Sequence, residues 1–178
     1  MTNNDYILEK SEILEMLDKT NDKELQGIIA VLILTGARIS EVLSLTGKDI
    51  WTDENYLYLR MPLLKKRKQK FQKITRKVPK DGIFVNYFRN YVNQARIVPE
   101  EKIFKCDRRR VWERIKALNP NIKVHTFRHT LATWMGQKVD MRTLQNWMGW
   151  ENLNMAKIYV NPKDSINRFA QEMEELMQ

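Results

Sequence analysis

The sequence predicts a mainly α-helical domain with one small antiparallel β-sheet, an α+β fold. Three observations lead there. Apolar residues recur at helical spacing through residues 10–45 and again from Phe84 onward. Between these stretches the period shortens to that of strands. The helical pattern is punctuated by single Gly or Asn-Pro positions, with no linker, repeat or low-complexity segment, so residues 1–178 are expected to form one domain around a single core.

The elements follow in order. Ser11 is a suitable N-cap for a first helix that places Ile13, Leu14 and Leu17 on one face. Asp22 opens a largely apolar second helix that runs to Leu34 and stops at Gly36, the position where a glycine usually ends a helix. Ile39 to Leu45 reads as a short amphipathic helix. Tyr56-Leu-Tyr-Leu-Arg-Met and Lys73-Ile-Thr-Arg-Lys-Val read as two strands of a hairpin with a cationic tip at Lys65–Lys70. Pro79-Lys-Asp-Gly ends the second strand. Helices then run from near Phe84 to the end, broken at Asn119-Pro120, Gly136, Gly149 and Asn161-Pro162.

Charge and composition narrow the function. Lys and Arg number 31 against 22 Asp and Glu, a net charge of +9. Nine of the sixteen residues from Lys65 to Lys80 are basic, and a second cluster holds Lys102, Lys105, Arg108, Arg109, Arg110, Arg114 and Lys116. Such clustering concentrates positive potential and favours a polyanion. The longest apolar run, Ile28–Leu34, spans seven residues, against about 20 for a membrane helix. One cysteine and two histidines argue against a disulfide framework or a Cys/His zinc site and for an intracellular setting.

Three separate blocks carry more information. The first is Thr35-Gly-Ala-Arg-Ile-Ser-Glu-Val-Leu-Ser-Leu45, continuing to Asp49-Ile50. The second is His125-Thr-Phe-Arg-His-Thr-Leu-Ala-Thr133. The third is Leu144-Gln-Asn-Trp-Met-Gly-Trp150, with Tyr159 nine residues beyond. In order and spacing they resemble the tyrosine recombinases, the phage integrase and Xer-like family, from about residue 10 to the end.

The resemblance implies the catalytic-domain fold of that family and a DNA strand transfer that needs neither metal, cofactor nor ATP. Tyr159 would attack a phosphate of double-stranded DNA to give a 3′-phosphotyrosyl bond and a 5′-hydroxyl. Arg38 and Arg128 match the two catalytic arginines, whose planar guanidiniums can hold the non-bridging oxygens in fixed, charge-assisted bonds. His125, three positions before Arg128 and so on the same side of a helical turn, would assist proton transfer. His129 is assigned a structural place. A hairpin lysine, Lys65 or Lys66, would protonate the leaving oxygen, and Lys66, Arg67, Lys68, Lys70 and Lys73 would contact phosphates. Trp150 stands where histidine is commoner. An indole N–H donates but cannot accept a proton, so its part is positioning and packing.

Residues 163–178 read as an amphipathic helix with Ile166, Phe169, Ala170, Met173, Leu176 and Met177 on one face. It packs on its own domain or, as in the family, on a neighbour in a tetramer on DNA. The resemblance also implies that the amino-terminal core-binding domain of the family is absent here. Relaxation of DNA or resolution of hairpin telomeres by the same chemistry, and a non-catalytic DNA-binding role, are the alternatives.

Overall fold

The computed structural model describes residues 6–63, 72–123 and 125–160, with the isolated positions 170, 173, 174 and 177. In chain order the elements are α1 (Lys10–Lys19), α2 (Lys23–Thr35), α3 (Ile39–Val42), a 3-10 turn (Gly47–Asp49), β1 (Ile50–Thr52), β2 (Tyr56–Leu63), β3 (Gln72–Pro79), α4 (Ile83–Ala95), α5 (Arg108–Leu118), α6 (Thr126–Gly136), α7 (Met141–Met148) and α8 (Asn154–Lys157). Among the described residues no helix is long and apolar enough to cross a membrane.

Helix α2 is the axis of the core. It is apolar all round because it is covered all round, with every residue from Leu25 to Ile33 buried and α4 and α6 packed against it. The Asp22 carboxylate accepts the Leu25 N–H at 3.1 Å to cap its start. At its end Gly36 takes φ +61°, and a Cβ there would lie 2.9 Å from Met148. Both facts require glycine, and together they turn the chain sharply toward Arg38.

The sheet has the order β1-β2-β3, all antiparallel. Along β2, Leu57, Leu59, Met61 and Leu63 face the core while Tyr56, Tyr58, Arg60 and Pro62 are half-buried on the other side. The register runs from Tyr56↔Pro79 to Leu63↔Gln72, which lengthens both expected strands. Strand β1 was not expected, since its three residues are too few to show a period.

Four helical expectations change. Glu9, not Ser11, is the N-cap of α1, because Glu12 reaches back to the Glu9 N–H at 2.8 Å. Met16, rather than Leu14, joins Ile13 and Leu17 in the core. Helix α3 stops at Val42 instead of Leu45, where the Ser44 hydroxyl donates to the Glu41 carbonyl at 2.7 Å. The helical stretch after Phe84 is also interrupted between Ala95 and Arg108. There the chain returns to the core: Ile103 N–H donates to Leu45 O at 2.9 Å and Tyr91 Oη–H to Ile103 O at 2.7 Å. Ile103 and Phe104 become buried, each contributing about 1.5–3 kcal/mol. That burial outweighs helix continuity. The expected 163–178 helix lies outside the described residues apart from the four isolated positions.

Candidate active site

The turn after α2 delivers the first arginine. Arg38 sits at the N-cap of α3, where its backbone N–H donates to Glu41 Oε2 at 2.9 Å and its Nη1 to Glu41 Oε1 at 3.0 Å. The Glu41 side chain is 0% exposed and that of Arg38 is 42% exposed. A buried carboxylate therefore anchors a guanidinium that still faces outward. Glu41 was not singled out from sequence, although an acid three residues after a helix N-cap is a legible signal.

Helix α6 supplies the second arginine from inside. Arg128 is buried, with Nη1 donating to Gly36 O and Nη2 to Met148 O, both at 2.6 Å. These carbonyls end α2 and α7, so the cation meets the negative poles of two helices. Its guanidinium also lies 5.5 Å from the centre of the Trp150 ring. Burial, then the charge of Arg38, pulls its pKa down to about 10. At neutral pH it remains a cation.

His125 is the N-cap residue of α6 rather than part of its first turn. Burial pushes its pKa below the usual imidazole value, and His129, Arg38, Arg128 and Arg108 add to that. Its ring meets His129 edge-on at 6.3 Å. His129, one helical turn further on, shares a hydrogen bond through Nδ1 with the Tyr159 hydroxyl. From sequence His129 was given a structural place and His125, by resemblance, a part in proton transfer at the nucleophile; the side chain that meets the phenol directly is that of His129.

Tyr159 is buried and stacked on Trp150, with ring centres 5.4 Å apart and planes 11° from parallel. The Trp150 loop is held by Gln145 Nε2, which donates to the carbonyls of Trp150 at 3.2 Å and Glu151 at 3.3 Å. The hairpin foot packs on the same loop. A Cβ on Gly149 would lie 2.5 Å from Leu63 Cδ2.

Lys65, Lys66, Arg67, Lys68 and Lys70 lie outside the described residues. Lys73 stands at the start of β3, where its Nζ meets Asp49 Oδ1 at 3.1 Å. In the second basic cluster, Arg114 pairs with Asp22, Arg109 with Glu113 at 2.9 Å and Lys105 with Glu101 at 3.1 Å, so part of its charge is neutralised internally. Arg108 and Arg109 line a cleft of about 300 Å³ with Trp112 and Arg128. Among the described residues no group of His, Cys, Asp and Glu could hold a metal ion.

Residues 7–165 match the phage integrase family. The chain belongs to that family. A tyrosine recombinase of Pseudothermotoga lettingae is 25% identical over 185 residues, covering 94% of this chain and 62% of the relative. Tyrosine recombinase XerC of Chlamydia trachomatis is 26% identical over 162 residues, covering 82% of this chain and 49% of the relative. The integrase-family chain thus spans about half to three-fifths of the length of these relatives. In fold it is similar to the XerH site-specific recombinase solved bound to difH substrate in a pre-cleavage complex, with a TM-score of 0.65 at 20% identity over 86% of this chain and 49% of that one. The helices and three-stranded sheet are those of a tyrosine recombinase catalytic domain. Within this integrase-family fold, Trp150 lies beside both Arg128 and Tyr159, His129 meets both His125 and Tyr159, and Arg38 is held by Glu41, so residues of all three sequence blocks take part in these contacts.

Proposed function

We propose that this chain is the catalytic domain of a site-specific recombinase or integrase that cleaves and rejoins double-stranded DNA through Tyr159. The carrying observation is the Tyr159 hydroxyl, hydrogen-bonded to His129 and stacked on the indole that lies beside the Arg128 guanidinium. A lone phenol has a pKa of about 10 and attacks poorly. Here a histidine is in place to accept its proton, and two arginines would favour the phenolate.

The steps balance without an external energy source. In the tautomer protonated at Nε2, His129 Nδ1 accepts the phenol proton as Tyr159 Oη bonds to phosphorus. Arg38 and Arg128 hold the non-bridging oxygens, whose charge grows in the transition state. The bond to the 5′-oxygen breaks, and Lys65, with Lys66 as the alternative, protonates it. Lys66, Arg67, Lys68, Lys70 and Lys73 bind neighbouring phosphates, and His125 supports the proton transfer from one ring away. The free 5′-hydroxyl of another strand then reverses the sequence. Trp150 holds the phenol in plane without exchanging a proton. Assembly as a tetramer on DNA through residues 163–178 belongs to the same reading.

A nicked suicide substrate tests it. The protein should become covalently joined to DNA in the presence of a chelator, and Tyr159→Phe should form no adduct. Absence of adduct with the intact protein would leave a DNA-binding role. Two-site products would then distinguish recombination from relaxation at one site. Deleting residues 163–178 should impair paired-site exchange more than single-site DNA affinity.

A further inference from the structure

Two helix ends are tied together beside Arg128. Helices α2 and α7 each end on a glycine in the left-handed region, Gly36 at φ +61° and Gly149 at φ +66°. Gly36 O accepts from Arg128 Nη1 and Met148 O from Arg128 Nη2, both at 2.6 Å. Two of the five guanidinium N–H groups are thereby committed, and the distance between the two carbonyls sets the plane in which the rest point. One further bond crosses between the same two ends. The Trp147 indole N–H, one residue before Met148, donates at 3.2 Å to the carbonyl of Thr35, one residue before Gly36. Helix α2 packs mainly on α4 and α6, and α7 on α6 and α8, so among the described residues no broad α2–α7 interface fixes that distance in its place. The Met148 side chain lies against Gly36, but apolar packing lacks the directionality of a hydrogen bond.

We propose that Trp147 is a positioning residue for Arg128, its N–H bracing the ends of α2 and α7 at the spacing the guanidinium bridges. The proposal rests on the reading of this pocket as a phosphate site. Trp147 touches none of the reacting atoms in that reading and acts only through the two carbonyls. Orientation counts because charge-assisted bonds from a planar guanidinium depend on the angle of its plane. A misplacement of 1 Å can cost about 10²-fold in rate. The indole also lines an apolar groove with Ile33, Leu34, Leu131 and Leu144, so packing is the competing account of a tryptophan here.

Trp147→Phe keeps an aromatic ring in the groove and removes the donor. Adduct formation with the nicked substrate at saturating protein should slow about 10-fold, with affinity for intact DNA changed by less than about 2-fold. Replacing Trp147 by benzothienylalanine, in which sulfur stands for the N–H and both rings remain, should give the same loss without leaving a cavity. In an Arg128→Lys background the loss should disappear, since an ammonium lacks the fixed plane that the brace orients. An unchanged rate with the isostere would assign Trp147 to packing and overturn the proposal. So would an equal fold loss in the Arg128→Lys background, the mark of a general effect on the fold. If the unsubstituted protein forms no adduct, the phosphate-site reading itself fails and this inference with it, an outcome separate from the other two.

Discussion

The hydroxyl of Tyr159 and Nδ1 of His129 share a hydrogen bond across thirty residues of chain. It joins the third sequence block to the second, and it makes His129 rather than His125 the immediate neighbour of the phenol. His129→Ala should therefore slow adduct formation about 100-fold or more, within the usual range for an acid–base group. His125→Ala should leave more activity. Single-turnover rates of the two variants on one substrate check the order, and a smaller loss for His129→Ala would reverse the assignment.

Gly136 fixes where Tyr159 can sit. A Cβ at residue 136 would lie 2.4 Å from the Tyr159 carbonyl oxygen and 2.8 Å from its carbonyl carbon, both backbone atoms. Gly136→Ala must therefore displace the tyrosine segment, at a cost of about 1–3 kcal/mol. A shift of 1 Å at a reacting group can cost about 10²-fold. The adduct rate should fall much further than DNA affinity, as band-shift and cleavage assays on the same preparation would measure.

His125 makes stability depend on pH in one direction. Its folded pKa lies below the unfolded value of about 6.5, so the unfolded chain binds more protons in the interval between them. The stabilisation is present above about pH 6.5 and is lost as pH falls through the folded pKa. Urea unfolding from pH 8 to 5 should show this slope, and His125→Gln should flatten it. An unchanged slope in the variant would assign the dependence to another group.

Asp49 ties the base of the hairpin to the 3-10 turn. Its Oδ2 accepts from Thr46 Oγ1 at 2.6 Å, and its Oδ1 meets Lys73 Nζ at 3.1 Å and Arg60 Nε at 3.4 Å. Burial pushes its carboxyl up, but the hydrogen bonds from Thr46 and Lys73 outweigh burial and hold it below the usual value. That contribution is present above about pH 4 and is lost as pH falls through the folded pKa. Asp49→Asn should destabilise the fold by about 1 kcal/mol, a modest figure because both cations are half-exposed. In thermal melts the difference between variant and parent should be full at pH 7 and shrink progressively as pH falls below about 4.

Much of the fold was legible because it depends on local chemistry. Asp22 and Gly36 bracket α2, and the alternation of Leu57, Leu59 and Met61 sets the core face of β2. The break between Ala95 and Arg108 was not legible, since Ile103 and Phe104 become core residues only by reaching Leu45 and Tyr91. In the site, Arg38, Arg128 and Tyr159 could be read from three motifs. Glu41 offered the local signal of an acid three residues after a helix N-cap, but its full burial, like that of Arg76, could not be read, since elements distant in sequence supply it.

The sequence alone determined the bracketing of α2 by Asp22 and Gly36, the two long strands, and which residues are chemically suited to phosphate transfer. All of these rest on residue type and on spacing of a few positions. Only the tertiary structure decided which histidine meets Tyr159, which carbonyls hold Arg128 and that Arg76 is buried. Those depend on where α2, α6, α7 and the sheet come to rest against one another. Burial then fixes the electrostatic weight of each group, because the same charge matters little in water and strongly in a dry core.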